Sequence, residues 1–406
     1  MSQPELQPGS SPAGVDLPGL VDHHAHLLEQ AALNELVAAP ASVRAFHERV
    51  ARAGTTPMDE LHPVPTGPVP ELAGRLRAGL ARAAAAGLVE VTEMGMRSWS
   101  YLDALAGLQA AGALPARVRV YLASGLATGT APAELAERRA RYQGPWVAVE
   151  GVKFYADGWL GPRTCAVGGH FADAAANDSA ASHSAASHSA ASHSAPSDGL
   201  LFLDGPTLAR RIAPLVEAGW RIATHAIGDR AVAAVLDGYE LAWAGDRAAL
   251  AAAAPRIEHA SLLSAELIAR MADLGVTACI QPSFAVTDET QVDPALGPAR
   301  RDLAYPWHAL HAAGVPILAG SDYPIETLDP LAGLARLVRG RSDRAGFGTP
   351  DTAPERSRIS TGTALAAMSD RAAGRTRVSE DPLGLAPDQI DRLELLGTQP
   401  SPFSVS

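Results

Sequence analysis

Short apolar runs rich in β-branched residues recur along the chain at 20–27, 87–94, 117–124, 149–156, 221–227, 256–261, 275–282 and 315–322. Between them lie Ala/Leu/Arg-rich segments with helical spacing, at 71–86, 99–112, 132–142, 206–218, 229–243, 264–274, 303–313 and 328–340. The runs are too continuously apolar for a strand with one face in water, and each is followed by a helical segment. That alternation predicts an α/β protein with a parallel sheet buried on both faces. Eight βα units predict a (β/α)8 TIM-type barrel, a fold of roughly 250 residues or more. An open doubly wound sheet is the competing arrangement, but no GxGxxG turn follows the first run.

Two stretches break the pattern. Residues 174–197 carry imperfect copies of SHSAA, with His183, His188 and His193. Ala, Ser and His at a period of five present no apolar face on either template, which predicts a disordered insertion. Weak metal scavenging by these histidines is the minor alternative. From about residue 370, VSEDPLGLAPDQIDRLELLG predicts a short tail with one more helix or strand. The expected organisation is therefore a barrel over 15–374, interrupted at 174–197, with a tail over 375–406 packed on it.

Composition narrows the partners. Lys plus Arg number 33 against 44 for Asp plus Glu, a net charge of -11. This excess argues against nucleic acid or an anionic membrane surface and leaves a small molecule as the expected partner. Cys165 and Cys279 are too few to staple a secreted scaffold, so both are expected reduced. The first twenty residues lack a basic start followed by an apolar run, and no stretch matches a membrane span of about 18 or more apolar residues. A soluble cytoplasmic protein is expected.

The basic residues hold one further signal, because Lys153 is the only lysine among them. Where Arg has replaced Lys elsewhere, a surviving Lys points to chemistry a guanidinium cannot perform. A neutral amine forms a carbamate or a Schiff base; a group with a pKa above about 12 does not. Chance survival of one ammonium is the plain alternative.

In a (β/α)8 barrel, function gathers where strands end. The first run ends in Asp22-His23-His24-Ala25-His26, and alternation puts His24 and His26 on one face. The fourth run carries Lys153, the fifth ends at His225, the sixth at His259 and the eighth at Asp322. Taken singly these have plain readings: loop histidines, hydrogen-bonded core histidines, a helix N-cap for Asp322. Together they describe a metal site assembled from five strands. Imidazole and carboxylate donors suit Zn2+ or a similar divalent ion, one or two per chain, better than magnesium or calcium. Carbon dioxide captured by Lys153 as a carbamate supplies a bridging carboxylate. Water between two ions becomes hydroxide near pH 7, and Asp322 is placed to take its proton and pass it to a leaving amine.

The motifs PGLVDHHAH, VKFYADGWLGPRT, THAIGDRAV, RIEHASLL and LAGSDYPIETLDPL resemble, in order, those of the amidohydrolase superfamily. The similarity is strongest to its YtcJ-like branch of metal-dependent hydrolases, which includes N-substituted formamide deformylases. The resemblance runs from about residue 18 to 370. It implies His24, His26, Lys153, His225 and His259 as metal ligands, a carboxylated Lys153, and Asp322 as ligand and proton shuttle. It also implies that Arg163 faces the substrate pocket. Members of the branch carry a longer β-sandwich segment before the PG-x-x-D motif and a GKxADxVVLD-like run near the end. The sandwich is therefore expected to be reduced or absent, with the barrel bottom closed by the tail or by the partner of a homodimer.

Glu93 and Gln281 are placed for substrate hydrogen bonds, and Tyr155, on the Lys153 face of its strand, for polarising a carbonyl. Trp159 and Trp307 are candidate pocket walls. The predicted activity is hydrolysis of a C–N bond in an amide, formamide or cyclic amide. The rivals are a Schiff-base lyase or aldolase using Lys153, a phosphoester or lactone hydrolase on the same metal site, and an inactive binding protein.

Overall fold

The computed structural model describes residues 14–33, 71–174, 198–340 and 354–404. The SHSAA repeat and its histidines lie outside the described residues. Among the described residues, ten strands form one sheet: β1 (Val15–Ala25), β2 (Leu88–Met96), β3 (Arg117–Ala123), β4 (Val147–Tyr155), β5 (Arg221–Ala226), β6 (Arg256–His259), β7 (Thr277–Ile280), β8 (Ile317–Ala319), β9 (Ser369–Val378) and β10 (Leu395–Pro400). Strands β1 to β8 pair in chain order, each parallel to the next. Helices fall between successive strands, as the alternation predicts.

The eighth strand returns to the first. Ala25 bridges Tyr323 in parallel; His26 N–H donates to Tyr323 O and Asp322 N–H to His24 O, both at 2.7 Å. A Cβ on Gly320 would run into the backbone nitrogen of His24, so only glycine permits this approach. Asp22 ties the seam by accepting from the Ser321 N–H (2.9 Å) and hydroxyl (2.5 Å). The fold is the (β/α)8 TIM-type barrel that the pattern predicts.

Some boundaries differ from the apolar runs. β6 stops at His259, whose φ of 75° is left-handed and turns the chain out of the sheet. β8 ends at Ala319, and Asp322 beyond it also has a positive φ, 58°. The helix expected at 303–313 starts at Trp307, after Pro306. Asp322 is not a helix cap. That role belongs to Asp329, which accepts from Ala332 N–H (3.0 Å) at the start of helix Pro330–Arg339.

At the N-terminal ends of the strands lies an antiparallel flank. β1 begins at Val15 because its first half pairs with β9, and β9 pairs with β10. In β9, buried Gly374, Thr376 and Val378 alternate with exposed Arg375 and Arg377, so it carries no apolar run for a sequence reading to find. The Thr376 hydroxyl donates to Gly87 O (3.0 Å) and accepts from Leu20 N–H (2.9 Å). Further on, Phe403 N–H donates to Pro145 O (2.6 Å), and its ring centroid lies 4.0 Å from the Arg117 guanidinium carbon. The C-terminal segment thus lies across the starts of β2, β3 and β4. Position 374/375, the expected start of the tail, falls inside β9. No helix among the described residues is long and apolar enough to cross a membrane.

Candidate metal centre

The C-terminal ends of the strands bring the six expected donors to one cavity of about 240 Å³, whose lining includes His24, His26, Lys153, His225, His259 and Asp322. Strand register puts them there: Tyr155 pairs with His225, and Ala226 with His259. His24 Nε2 and His26 Nε2 each lie 3.3 Å from Asp322 Oδ1. The imidazole of His259 is 5.0 Å from that of His24 and 4.5 Å from that of His225, centroid to centroid.

Hydrogen bonds around the cluster assign the ring protons. Glu258 Oε2 lies 2.6 Å from His24 Nδ1. Burial alone would favour the neutral acid, but Arg256 and His24 hold Glu258 well below the usual carboxylate range. An ionised carboxylate only accepts, so Nδ1 carries a hydrogen, and Nε2, on the Asp322 side, is the ring nitrogen left to serve an ion. Gln281 Oε1 accepts from His259 Nδ1 (2.8 Å), while the amide nitrogen of Gln281 donates to Cys279 O (3.2 Å). His259 is thus also left with an Nε2 lone pair. His225 Nε2 donates to Gly158 O (3.0 Å), with Asp157 Oδ1 3.4 Å away, which leaves Nδ1. Three imidazoles are therefore locked in defined tautomers by partners outside the donor set, an arrangement typical of metal-binding histidines. Burial lowers His26 and pushes His259 well below the usual imidazole value, which keeps both neutral.

Lys153 is fully buried, and its Nζ has no hydrogen-bond partner among the described residues. Burial lowers it to about 8 against the upward pull of Glu258 and Asp322. An unpaired ammonium is costly in such a place; a neutral amine that becomes an anionic ligand fits it. Burial also opposes ionisation of Asp322, but the adjoining imidazoles of His24, His26 and His259 hold it well below the usual carboxylate range. The donor set, with lone pairs assigned and an orphaned amine among them, fits a divalent metal centre.

The expected substrate contacts divide. Tyr155 lines the cavity, its ring 5.4 Å from that of His225, and Trp159 lines it too. Arg163 does not. It sits in a left-handed turn (φ 60°), pairs with Asp173 (2.8 Å) and donates to Leu160 O and Gly161 O, so it braces the loop whose residues Leu160 to Pro162 form the wall. Glu93 is buried away from the cavity and accepts from Leu28 N–H (2.8 Å) and Glu29 N–H (3.1 Å). It satisfies the free amides that open helix Leu27–Leu33, immediately after His26. Gln281 serves His259, and Trp307 is buried outside the cavity lining.

Sequence reasoning missed Glu258, Asp157 and Asp22. Asp157 accepts from Ala166, Ile227 and Gly228 N–H groups at 2.8–3.0 Å beside His225. A signal existed for Glu258: Arg256 and Glu258 are alternate residues of one short strand between apolar segments, and a charge pair facing inward there needs a partner inside the barrel.

Comparison with known proteins places this architecture. Two crystal structures of uncharacterized metal-dependent hydrolases share the fold, one from Pyrococcus furiosus (TM-score 0.63, 20% identity) and one from Pyrococcus horikoshii OT3 (0.64, 18%). The first match covers 91% of this chain and the second 92%, with 88% of the other chain covered in each case. YtcJ of Bacillus subtilis (strain 168) is 31% identical over 206 residues, 51% of this chain and 34% of that protein. LONG AFTER FAR-RED 3 of Arabidopsis thaliana is 28% identical over 197 residues, 48% of this chain and 30% of that protein. The chain thus spans about a third of the length of these curated relatives. The sequence profile of the amidohydrolase family matches residues 49–389, most of the chain, and the protein belongs to that family.

Proposed function

We propose that the protein is a metal-dependent hydrolase that cleaves a C–N bond in a small amide, formamide or cyclic amide. The observation that carries the proposal is the buried Lys153 amine, without a hydrogen-bond partner among the described residues, beside three imidazoles whose neighbours each leave one ring nitrogen over. His24, His26, Lys153, His225, His259 and Asp322 would hold one or two divalent ions, Zn2+ by donor chemistry. A bound ion supplies Lewis acidity, polarising a carbonyl and bringing the deprotonation of water close to pH 7.

The chain's own groups do the rest. The neutral Lys153 amine adds to carbon dioxide and releases one proton to solvent, which leaves an anionic carbamate carboxylate on a long stem. Asp322 Oδ1, between the His24 and His26 rings, accepts a proton from water and returns it to the departing amine nitrogen. Tyr155 is placed to hydrogen-bond the scissile carbonyl. Trp159, Leu160, Ile227 and Phe284 surround the reacting atoms with apolar surface and limit bulk water.

Metal analysis and a substrate panel test this reading together. Purified protein should carry about one or two divalent ions per chain. Chelation should abolish release of amine from formanilides, and zinc should restore it. Full hydrolysis by metal-free protein would reject the proposal, as would borohydride trapping of a carbonyl substrate on Lys153. Turnover of lactones or phosphoesters in place of amides would move the chemistry to another bond on the same centre.

A further inference from the structure

The cavity carries a second polar feature that the reaction does not use. Besides the metal donors, its lining holds two more carboxyl groups, Asp288 and Glu326, among Trp159, Leu160, Phe284 and Ile325. Among the described residues, Lys153, inside the donor cluster, is the only basic aliphatic or guanidinium side chain in that lining. Asp288 has a partner, because the Tyr305 hydroxyl donates to its Oδ2. Glu326 is half satisfied. Its Oε1 accepts from the Thr287 hydroxyl (2.8 Å), but its Oε2 is buried with no hydrogen-bond partner among the described residues, and the side chain is only 5% exposed. Burial raises this carboxyl to about 7. A buried carboxylate oxygen without a donor is unfavourable unless something that enters the cavity supplies one.

Glu326 is also fixed relative to the chemistry. It stands four residues beyond Asp322 on the loop that follows β8, and Ile325 N–H donates to Asp322 O (2.9 Å) to close a turn between them. A group that binds Glu326 is therefore held at a set distance from the proton shuttle. The remaining outer wall is apolar and aromatic, which suits a flat hydrocarbon spacer.

We propose that Glu326 selects the substrate by accepting a hydrogen bond from a protonated amine at the far end of an otherwise apolar, aromatic amide. The assignment rests on the hydrolase reading for which end of the ligand faces the metal donors. It commits to a cation: Arg163 and Arg336 act on Asp288 and Glu326 from outside the lining, where Asp173 and Ser283 engage them, so among the described residues the outer cavity offers an anionic substrate two carboxyl groups and no guanidinium. A neutral hydrocarbon would leave Oε2 as it is now.

The test separates recognition from turnover. Three non-hydrolysable ketones are titrated into zinc-loaded wild-type protein by calorimetry: 4-(aminomethyl)acetophenone, its neutral isostere 4-ethylacetophenone, and anionic 4-acetylphenylacetate. The ammonium compound should bind about 10- to 100-fold more tightly than the neutral one, and the anion should bind weakest. In Glu326→Gln the preference for the ammonium should fall to within about 3-fold, and the anion should gain. The matching formanilides are then assayed for amine release, and kcat/KM should follow the same order. Equal affinity for ammonium and neutral ketones in wild type would overturn the proposal even if the variant failed to fold. So would a preference that survives in Glu326→Gln. If the binding preference holds but no formanilide is hydrolysed, the C–N cleavage reading fails and the Glu326 assignment stands. If all the formanilides turn over alike and the ketones bind alike, the reverse is true.

Discussion

Glu258→Gln is the most informative single change outside the donor set. Glu258 joins two buried contacts: its Oε2 takes the His24 Nδ1 hydrogen at 2.6 Å, and its two oxygens accept from Arg256 at 2.8 and 3.0 Å. Gln keeps the shape and removes the charge. The Arg256 guanidinium then loses its buried counter-ion, and breaking such a pair costs about 3 kcal/mol of stability. The second effect is specific to the metal. A glutamine has one accepting oxygen for the two partners, Arg256 and His24 Nδ1; with that oxygen drawn to the guanidinium, its nitrogen donates toward Nδ1, the ring hydrogen moves to Nε2, and Nε2 no longer serves an ion. Loss of an orienting partner of this kind typically lowers metal affinity about 10- to 100-fold. Zinc affinity is measured by competition with a chromogenic chelator, and stability by urea denaturation of the metal-free protein. Lower stability with wild-type zinc affinity would make the Arg256–Glu258 pair a core contact and nothing more. Unchanged values for both would refute the tautomer argument altogether.

Asp322→Asn should retain bound metal by elemental analysis while losing about 10²- to 10⁴-fold in kcat, because the carboxylate that carries the proton is gone. Lys153→Arg keeps a positive charge but cannot form a carbamate; metal content should fall, and the carbamate carbon resonance expected from the wild type with 13C-bicarbonate should be absent. Glu93 is raised by burial from its ordinary value to about 8. The folded state therefore holds that proton more tightly than the unfolded chain, and the associated stability, complete below about pH 4.5, is lost as pH climbs to about 8. Across that window the Tm of the wild type should fall relative to Glu93→Gln, and parallel curves would contradict the assignment. Gly320→Ala forces a Cβ against the His24 backbone and should cost about 2 kcal/mol or more in urea denaturation, with metal affinity reduced as the β1–β8 seam opens.

The donors are legible in the chain because barrel geometry ties chemistry to position: each lies at or just beyond the C-terminal end of a parallel strand, where apolar periodicity stops. His225 and His259 look like core histidines one at a time, and only eight strands in order bring them together. What the sequence conceals is long-range pairing. Nothing local joins Glu258 to His24 across the barrel, so the group that fixes that tautomer is invisible until β1 and β6 face each other. Arg163 and Glu93 stand outside the cavity lining for a related reason. A charged residue after a strand serves backbone amides and turns as readily as it serves a substrate, and here Asp173 and helix Leu27–Leu33 claim them. β9 escapes because a strand exposed on one face alternates polar with small residues and lacks the apolar density of the barrel strands.

Diffraction from zinc-loaded crystals at wavelengths on either side of the zinc absorption edge tests the central claim most directly. An anomalous peak should lie about 2.0–2.2 Å from His24 Nε2, His26 Nε2 and an Asp322 oxygen. Any second peak should fall where His225 Nδ1, His259 Nε2 and a carboxylated Lys153 converge. Zinc bound elsewhere on the chain, with these side chains still facing one another and no ion between them, would contradict the account.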